Sequence, residues 1–310
     1  MEWLVSLVGV GLVMAALRDL FHTLWHPTRH GGLSRLVMTA LWRLARHVRA
    51  RRRVVGLIGP LAMVTVIGMW AVIIILGWAI VYWPYMPEAF TFTPGSKAAQ
   101  QPALLDSVYL SLVTIATLGL GDVVPTEGWL RLVSPLEALI GFVLLTATVS
   151  WMLEIYPALT RRRVLAIRLA LLRGSNPTAG QLDCAVGALL LDSLATDIVR
   201  VRIDFTQYAE AYYFHDGEDH ASLAATVGYA AALAERGQAA RRPDASLAGD
   251  LLARALEDLA TTLDQRFLHT GGTPTEVFAA YAADHGRCRR PDDSAQAASS
   301  VPPGADGPQG

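Results

Sequence analysis

The run Thr114-Ile115-Ala116-Thr117-Leu118-Gly119-Leu120-Gly121-Asp122 offers backbone oxygens for chemistry. Glycines at alternate positions take positive φ angles without steric penalty. Consecutive carbonyls can then face one axis, with Leu118 and Leu120 pointing back into the protein. Rings of such carbonyls replace the water shell of a bare cation, and the Thr117 hydroxyl would add the innermost ring of oxygens. Non-helical backbone of this kind is tolerated at membrane depth only where it is buried in protein or lines a water-filled path.

Other polar groupings are weaker. His215, Asp216, Glu218, Asp219 and His220 have the residue types of a divalent-metal cluster, but they are read as a polar turn between helices and not as a site. His285 with Cys288, and His22 with His26 and His30, are read as ordinary surface or interfacial residues. The chain's two cysteines, Cys184 and Cys288, define no disulfide framework and fit a reduced compartment. No enzyme site and no cofactor are expected.

The elements that position the glycine run are membrane spans. Of 310 residues, 53% are hydrophobic and only 17% charged, and the shortage of charge is concentrated in the first half. Three apolar runs stand out: Trp3 to Trp25, Val54 to Trp83 and Leu130 to Leu159. Each is long enough to cross about 30 Å of hydrocarbon. The first lacks a basic start and a small-residue cleavage site, so it reads as a retained helix and not as a signal peptide. Trp78, Tyr82, Trp83 and Tyr85 crowd the end of the second run, as an aromatic belt does.

Arginines set the orientation. Arg29, Arg35, Arg43, Arg46, Arg49 and Arg51 to Arg53 follow the first run, and Arg161, Arg162, Arg163, Arg168 and Arg173 follow the third. The segment between the second and third runs has only Lys97 and Arg131. The positive-inside rule then puts the N-terminus and residues 84–129 outside and the C-terminal half in the cytoplasm. Leu33 to Val48 has helical apolar spacing with arginines off the stripe, the pattern of a basic interfacial helix. Pro102 to Thr117 is apolar, too short to cross, and on the outer side. A re-entrant helix buries it, aiming its negative dipole end at a cation near the membrane centre.

The segment Thr114 to Asp122 resembles the potassium-channel signature, threonine-x-x-threonine-x-glycine-aromatic-glycine-aspartate. Its setting, span then short helix then signature then span, resembles that family's pore module over residues 54–160. The resemblance implies a selectivity filter at Thr117, Leu118, Gly119, Leu120 and Gly121, supported by Thr114, Tyr109, Asp122 and Glu137. It implies permeant potassium or other monovalent cations, a homotetramer within membrane lipid, and no nucleic-acid partner. Arg131 stands where the family often has a basic residue opening its inner helix, and Gly141 at the usual glycine hinge.

There are departures. The filter aromatic is Leu120, which cannot donate the tyrosine's hydrogen bond, and packing alone is expected to hold it. Val113 replaces a common pore-helix acid, so Asp122 is expected to lack that partner, and Ala116 replaces a common threonine. A less rigid filter is expected, with weaker selectivity or gating at the filter itself. Glu137, an ionisable residue within a span, either braces the back of the filter through Ser107, Thr114 or a backbone amide, or is an outer surface charge.

No span has the repeated basic residues of a voltage sensor, and no strand with a G-x-G-x-x-G turn follows residue 160. The cytosolic half reads as helices: one starting at Ser175-Asn176-Pro177 and running to about Phe214, then Ser222 to Arg236 closed by Gly237, Asp244 to Leu268, and one opened by a capping box at Thr273. The expected fold is all-α: an N-terminal transmembrane helix (1–25), a basic interfacial helix (26–53), a pore module (54–160), a helical cytosolic domain (161–290) and a disordered tail (291–310). The expected function is passive cation conduction across the inner (plasma) membrane. A pore-fold scaffold that signals without conducting is the alternative.

Overall fold

A computed structural model describes residues 2–25, 32, 36–37, 39–40, 58–93, 102–216 and 218–287. The basic interfacial segment lies largely outside these residues, as do His26, His30, Lys97, Cys288 and the tail. The chain divides into two compact units. One holds Met1–Pro157 with Glu210–Phe214, the other Ala158–Ala209 with His215–Gly310.

In the first unit, the apolar runs become α1 (Glu2–Trp25), α2 (Ile58–Tyr82) and α4 (Gly128–Ser175), with α3 (Ala103–Ile115) between the last two. Among the described residues, three helices are long and apolar enough to cross a membrane, and α3 is a shorter apolar helix. Helix α1 is packed into the unit. A Cβ on Gly9 would fall 2.5 Å from the Gly77 carbonyl oxygen, so two glycines let the α1 and α2 backbones touch. Ser6 donates to the Val81 carbonyl at 3.3 Å. Trp3 stacks on Trp129, and Tyr85 meets Trp129 edge-on. Trp78 and Tyr82 are buried and stacked on each other, so these two members of the expected aromatic belt pack inward, while Trp83 is exposed.

A two-stranded antiparallel ribbon adds to the all-helical plan. Strand β1 (Phe90–Phe92) pairs with β2 (Val123–Pro125) in the register Phe90 with Pro125 and Phe92 with Val123.

The segment Glu210–Phe214 belongs to this unit although its chain neighbours belong to the other. A Cβ on Gly59 would fall 2.6 Å from the Phe214 ring, so glycine at the start of α2 makes room for that ring. Glu210 is only 8% exposed, and burial pushes its carboxyl up to about 7. Packing that keeps Glu210 protonated is fully stabilising below the ordinary glutamate range. It weakens as pH rises, and that contribution is gone above about pH 7, a loss of about 3 kcal/mol. Glu210→Gln is therefore expected to flatten the stability profile between about pH 5 and 7 and to raise stability at neutral pH. Thermal unfolding in detergent across that range checks it. An unchanged slope would count against the assignment.

In the second unit, the C-terminal end of α4 carries arginines that the orientation rule used. Arg161 pairs with Asp204 at 2.6 Å, Arg162 and Arg163 both pair with Asp216, and Arg168 pairs with Asp197 at 2.7 Å. The remaining helices are α5 (Ala185–Gln207), α6 (Leu223–Gln238), α7 (Pro243–Leu263) and α8 (Pro274–Asp284).

Three local expectations change. Ser175-Asn176-Pro177 stops a helix: Asn176, at φ +41°, ends α4, and the next turn starts at Thr178, whose hydroxyl and Gln181 form a capping box. Gly237 lies inside α6, where a Cβ on Gly249 would crowd the Gly237 backbone, so it serves close helix packing and not termination. Of the apolar face expected on α7, Leu252, Leu256, Leu259 and Leu263 are buried, but Leu247 and Leu251 are exposed. The Thr273–Glu276 capping box opens α8 as expected.

Candidate functional site

Thr117, Gly119 and Gly121 lie at φ +55°, +54° and +75°. Among the described residues, the only other non-glycine positions with positive φ are Asn176 and His269, so Leu118 and Leu120 are not among them. Left-handed and ordinary residues thus alternate strictly along the loop, the pattern inferred from the glycine spacing and extended by one residue to Thr117.

Both ends of the loop are tied. At the inner end, α3 closes on Ala116. The Thr117 amide donates to Thr114 (2.9 Å) and the Leu118 amide to Val113 (3.0 Å). These two bonds make a Schellman closure with Thr117 in the left-handed position that glycine usually takes. A β-branched residue there is costly, which makes its hydroxyl a noteworthy choice. At the outer end, Thr93 donates its amide to the Asp122 carbonyl at 2.9 Å, continuing the β1–β2 ladder to the residue after Gly121.

Side chains add two braces. The Tyr109 hydroxyl on α3 donates to Asp122 Oδ2 at 2.6 Å. Val113 offers Asp122 no acid partner, and tyrosine supplies a tie from a different position, which was not expected. Glu137 on α4 is fully buried and accepts from the Tyr82 hydroxyl of α2 (2.7 Å) and the Ser111 hydroxyl of α3 (2.5 Å). It is an internal brace and not an outer surface charge. Its partners differ from those expected, since Ser107 bonds back to the Ala103 carbonyl. The signal for Ser111 lay in its spacing, one helical turn beyond Ser107. Tyr82 was hidden by its position at the end of a span.

Gly141 sits where a Cβ would collide with the Ile115 carbonyl oxygen, so α4 meets the C-terminal end of α3 backbone to backbone. Leu118 and Leu120 are 65% and 62% exposed in the single chain, contrary to the expectation that they point back into it. The loop from Ala116 to Gly121 is exposed along its whole length.

The family model described as "Ion channel" matches residues 68–158, which include α3, the glycine loop and the first part of α4. Protein LctB of Bacillus caldotenax is 32% identical over 111 residues, 34% of this chain and 77% of that protein. The chain belongs to the ion channel family. Uncharacterized membrane protein YdjJ of Bacillus subtilis (strain 168) is 26% identical over 162 residues. That alignment spans 52% of this chain and 46% of the length of YdjJ. No solved structure matches.

The polar cluster at His215–His220 is occupied by its own ion pairs. Asp216 receives Arg162 and Arg163, His220 meets Glu218 at 3.1 Å, and Arg287 pairs with Asp219. Among the described residues, no group of three or more His, Cys, Asp or Glu is placed to hold a metal.

Proposed function

We propose that the protein is a homotetrameric channel for potassium, or weakly selective among monovalent cations, in the cytoplasmic membrane, with its N-terminus outside and its helical unit in the cytoplasm. The alternation of positive φ at Thr117, Gly119 and Gly121 carries this reading. It is the backbone pattern that turns successive carbonyls to one side, where they take the place of hydration water. Thr117, Leu118, Gly119, Leu120 and Gly121 are assigned to ion coordination. Thr114 and Tyr109 hold the loop from α3, Asp122 anchors its outer end, and Glu137 supports it from behind. Gly141 serves as the bending point of the inner helix as well as its closest approach to α3. One loop per chain needs copies around an axis to complete a ring, and the exposure of Leu118 and Leu120 supports a neighbouring chain covering them.

Purified protein in planar bilayers under opposed potassium and sodium gradients tests the reading. The reversal potential is expected to lie near that of potassium, because Tyr109–Asp122 restores a tie that Leu120 cannot make. A reversal potential midway between the two ions supports the weakly selective form. An absence of cation flux overturns conduction and leaves the scaffold reading.

A further inference from the structure

Helix α1 lies outside the pore module, and its buried acid gives it a task. Asp19, in the half of α1 nearer Trp25, is 6% exposed. It accepts a hydrogen bond from the indole N–H of Trp70 on α2 at 2.9 Å. The Trp70 ring also meets that of Trp151 on α4, with ring centroids 5.9 Å apart and planes tilted by 43°. Trp70 is completely buried and Trp151 is 3% exposed. A carboxyl group within a span is expensive and is retained where it does something. A buried indole N–H also needs a partner. The pair therefore fixes both groups, and the ring it fixes is the surface on which α4 rests ten residues beyond Gly141.

We propose that Asp19 is a positioning residue for conduction: through Trp70 it holds Trp151, so that α1 sets the resting place of the inner half of α4. The inference rests on the conducting reading for its electrical readout only. Asp19 and Trp70 are not among the residues assigned to the filter loop or its braces, so the effect falls on how often the path is open and not on what passes.

Single-channel recording compares Asp19→Ala, Asp19→Asn and Trp70→Phe with the wild type. Asp19→Ala is expected to shift open probability by about fivefold or more, with unitary conductance and reversal potential unchanged. Asp19→Asn keeps an acceptor oxygen and is expected to stay near wild type. Trp70→Phe keeps a ring against Trp151 but loses the donor, so it should shift open probability in the same direction as Asp19→Ala, and the double variant should go no further than Asp19→Ala. A spin label at Leu153→Cys, in a Cys184→Ser, Cys288→Ser background, reads the position of α4 independently of current. Its spectrum should change with Asp19→Ala and recover with Asp19→Asn. A silent wild type with that spectral pattern overturns conduction and keeps the brace. An unchanged spectrum and open probability in Asp19→Ala, or equal damage from Asp19→Asn and Asp19→Ala, overturns the brace.

Discussion

Glu137→Ala is expected to destabilise the membrane unit by about 4 kcal/mol, because it strands two buried hydroxyls at once. Tyr82 and Ser111 come from different helices and converge on the Glu137 carboxyl oxygens, and Tyr82, Ser111 and Glu137 are all buried. Their burial shields them from bulk solvent, so each donor left without an acceptor costs its desolvation, about 1–3 kcal/mol. Glu137→Gln keeps one acceptor oxygen but brings its own donors, and should cost about 1–2 kcal/mol. Tyr82→Phe leaves the carboxyl with Ser111 and should fall between the two. The ranking, Ala worst and Gln mildest, is the decisive feature in thermal unfolding of the detergent-solubilised protein. If Glu137→Leu were as stable as wild type, apolar packing would suffice at this junction and the brace would have no energetic basis, a result known for some buried polar networks.

What the sequence made legible follows from the range of each interaction. Spans, the short helix and the glycine loop are local patterns, so composition and spacing reveal them. The β1–β2 ribbon is not local: each strand has three residues and its partner lies about thirty positions away. Phe90-Thr91-Phe92 and Val123-Val124 have strand-forming types, but such short runs carry little weight beside long helices. Tyr82 illustrates a second limit. An aromatic at the end of a span serves either the interface or the interior, and only Glu137, 55 positions on, decides between them. Asp19 and Trp70, 51 positions apart, were invisible as a pair for the same reason. Gly237 and Asn176 show a third limit, since a glycine or asparagine marks a helix end or a close contact with the same letter. Tyr109 was singled out from sequence, but its bond to Asp122 was not foreseen, because the resemblance directed attention to the missing acid at Val113.

Gly119→Ala tests the backbone argument with few confounding effects. The space around Gly119 is open: a Cβ there meets nothing within 4 Å in the single chain, and the residue sits at φ +54°. Alanine is thus penalised by conformation and not by crowding within the chain, at about 1–2 kcal/mol per residue. In the proposed tetramer every subunit would bear that cost, whereas an isolated turn would bear it once. The loop is expected to relieve it by leaving the left-handed region, which turns a carbonyl out of line and removes one oxygen ring from the path. Cation flux in liposomes should fall by at least about a hundredfold, since a few kcal/mol per assembly already corresponds to that factor. Gly128→Ala is the control: it also meets open space, but it lies in the first turn of α4 without a positive φ, and flux should be unchanged. Full flux in Gly119→Ala would mean that ions do not depend on the alternating backbone, and the assignment of Thr117 to Gly121 would fall with it.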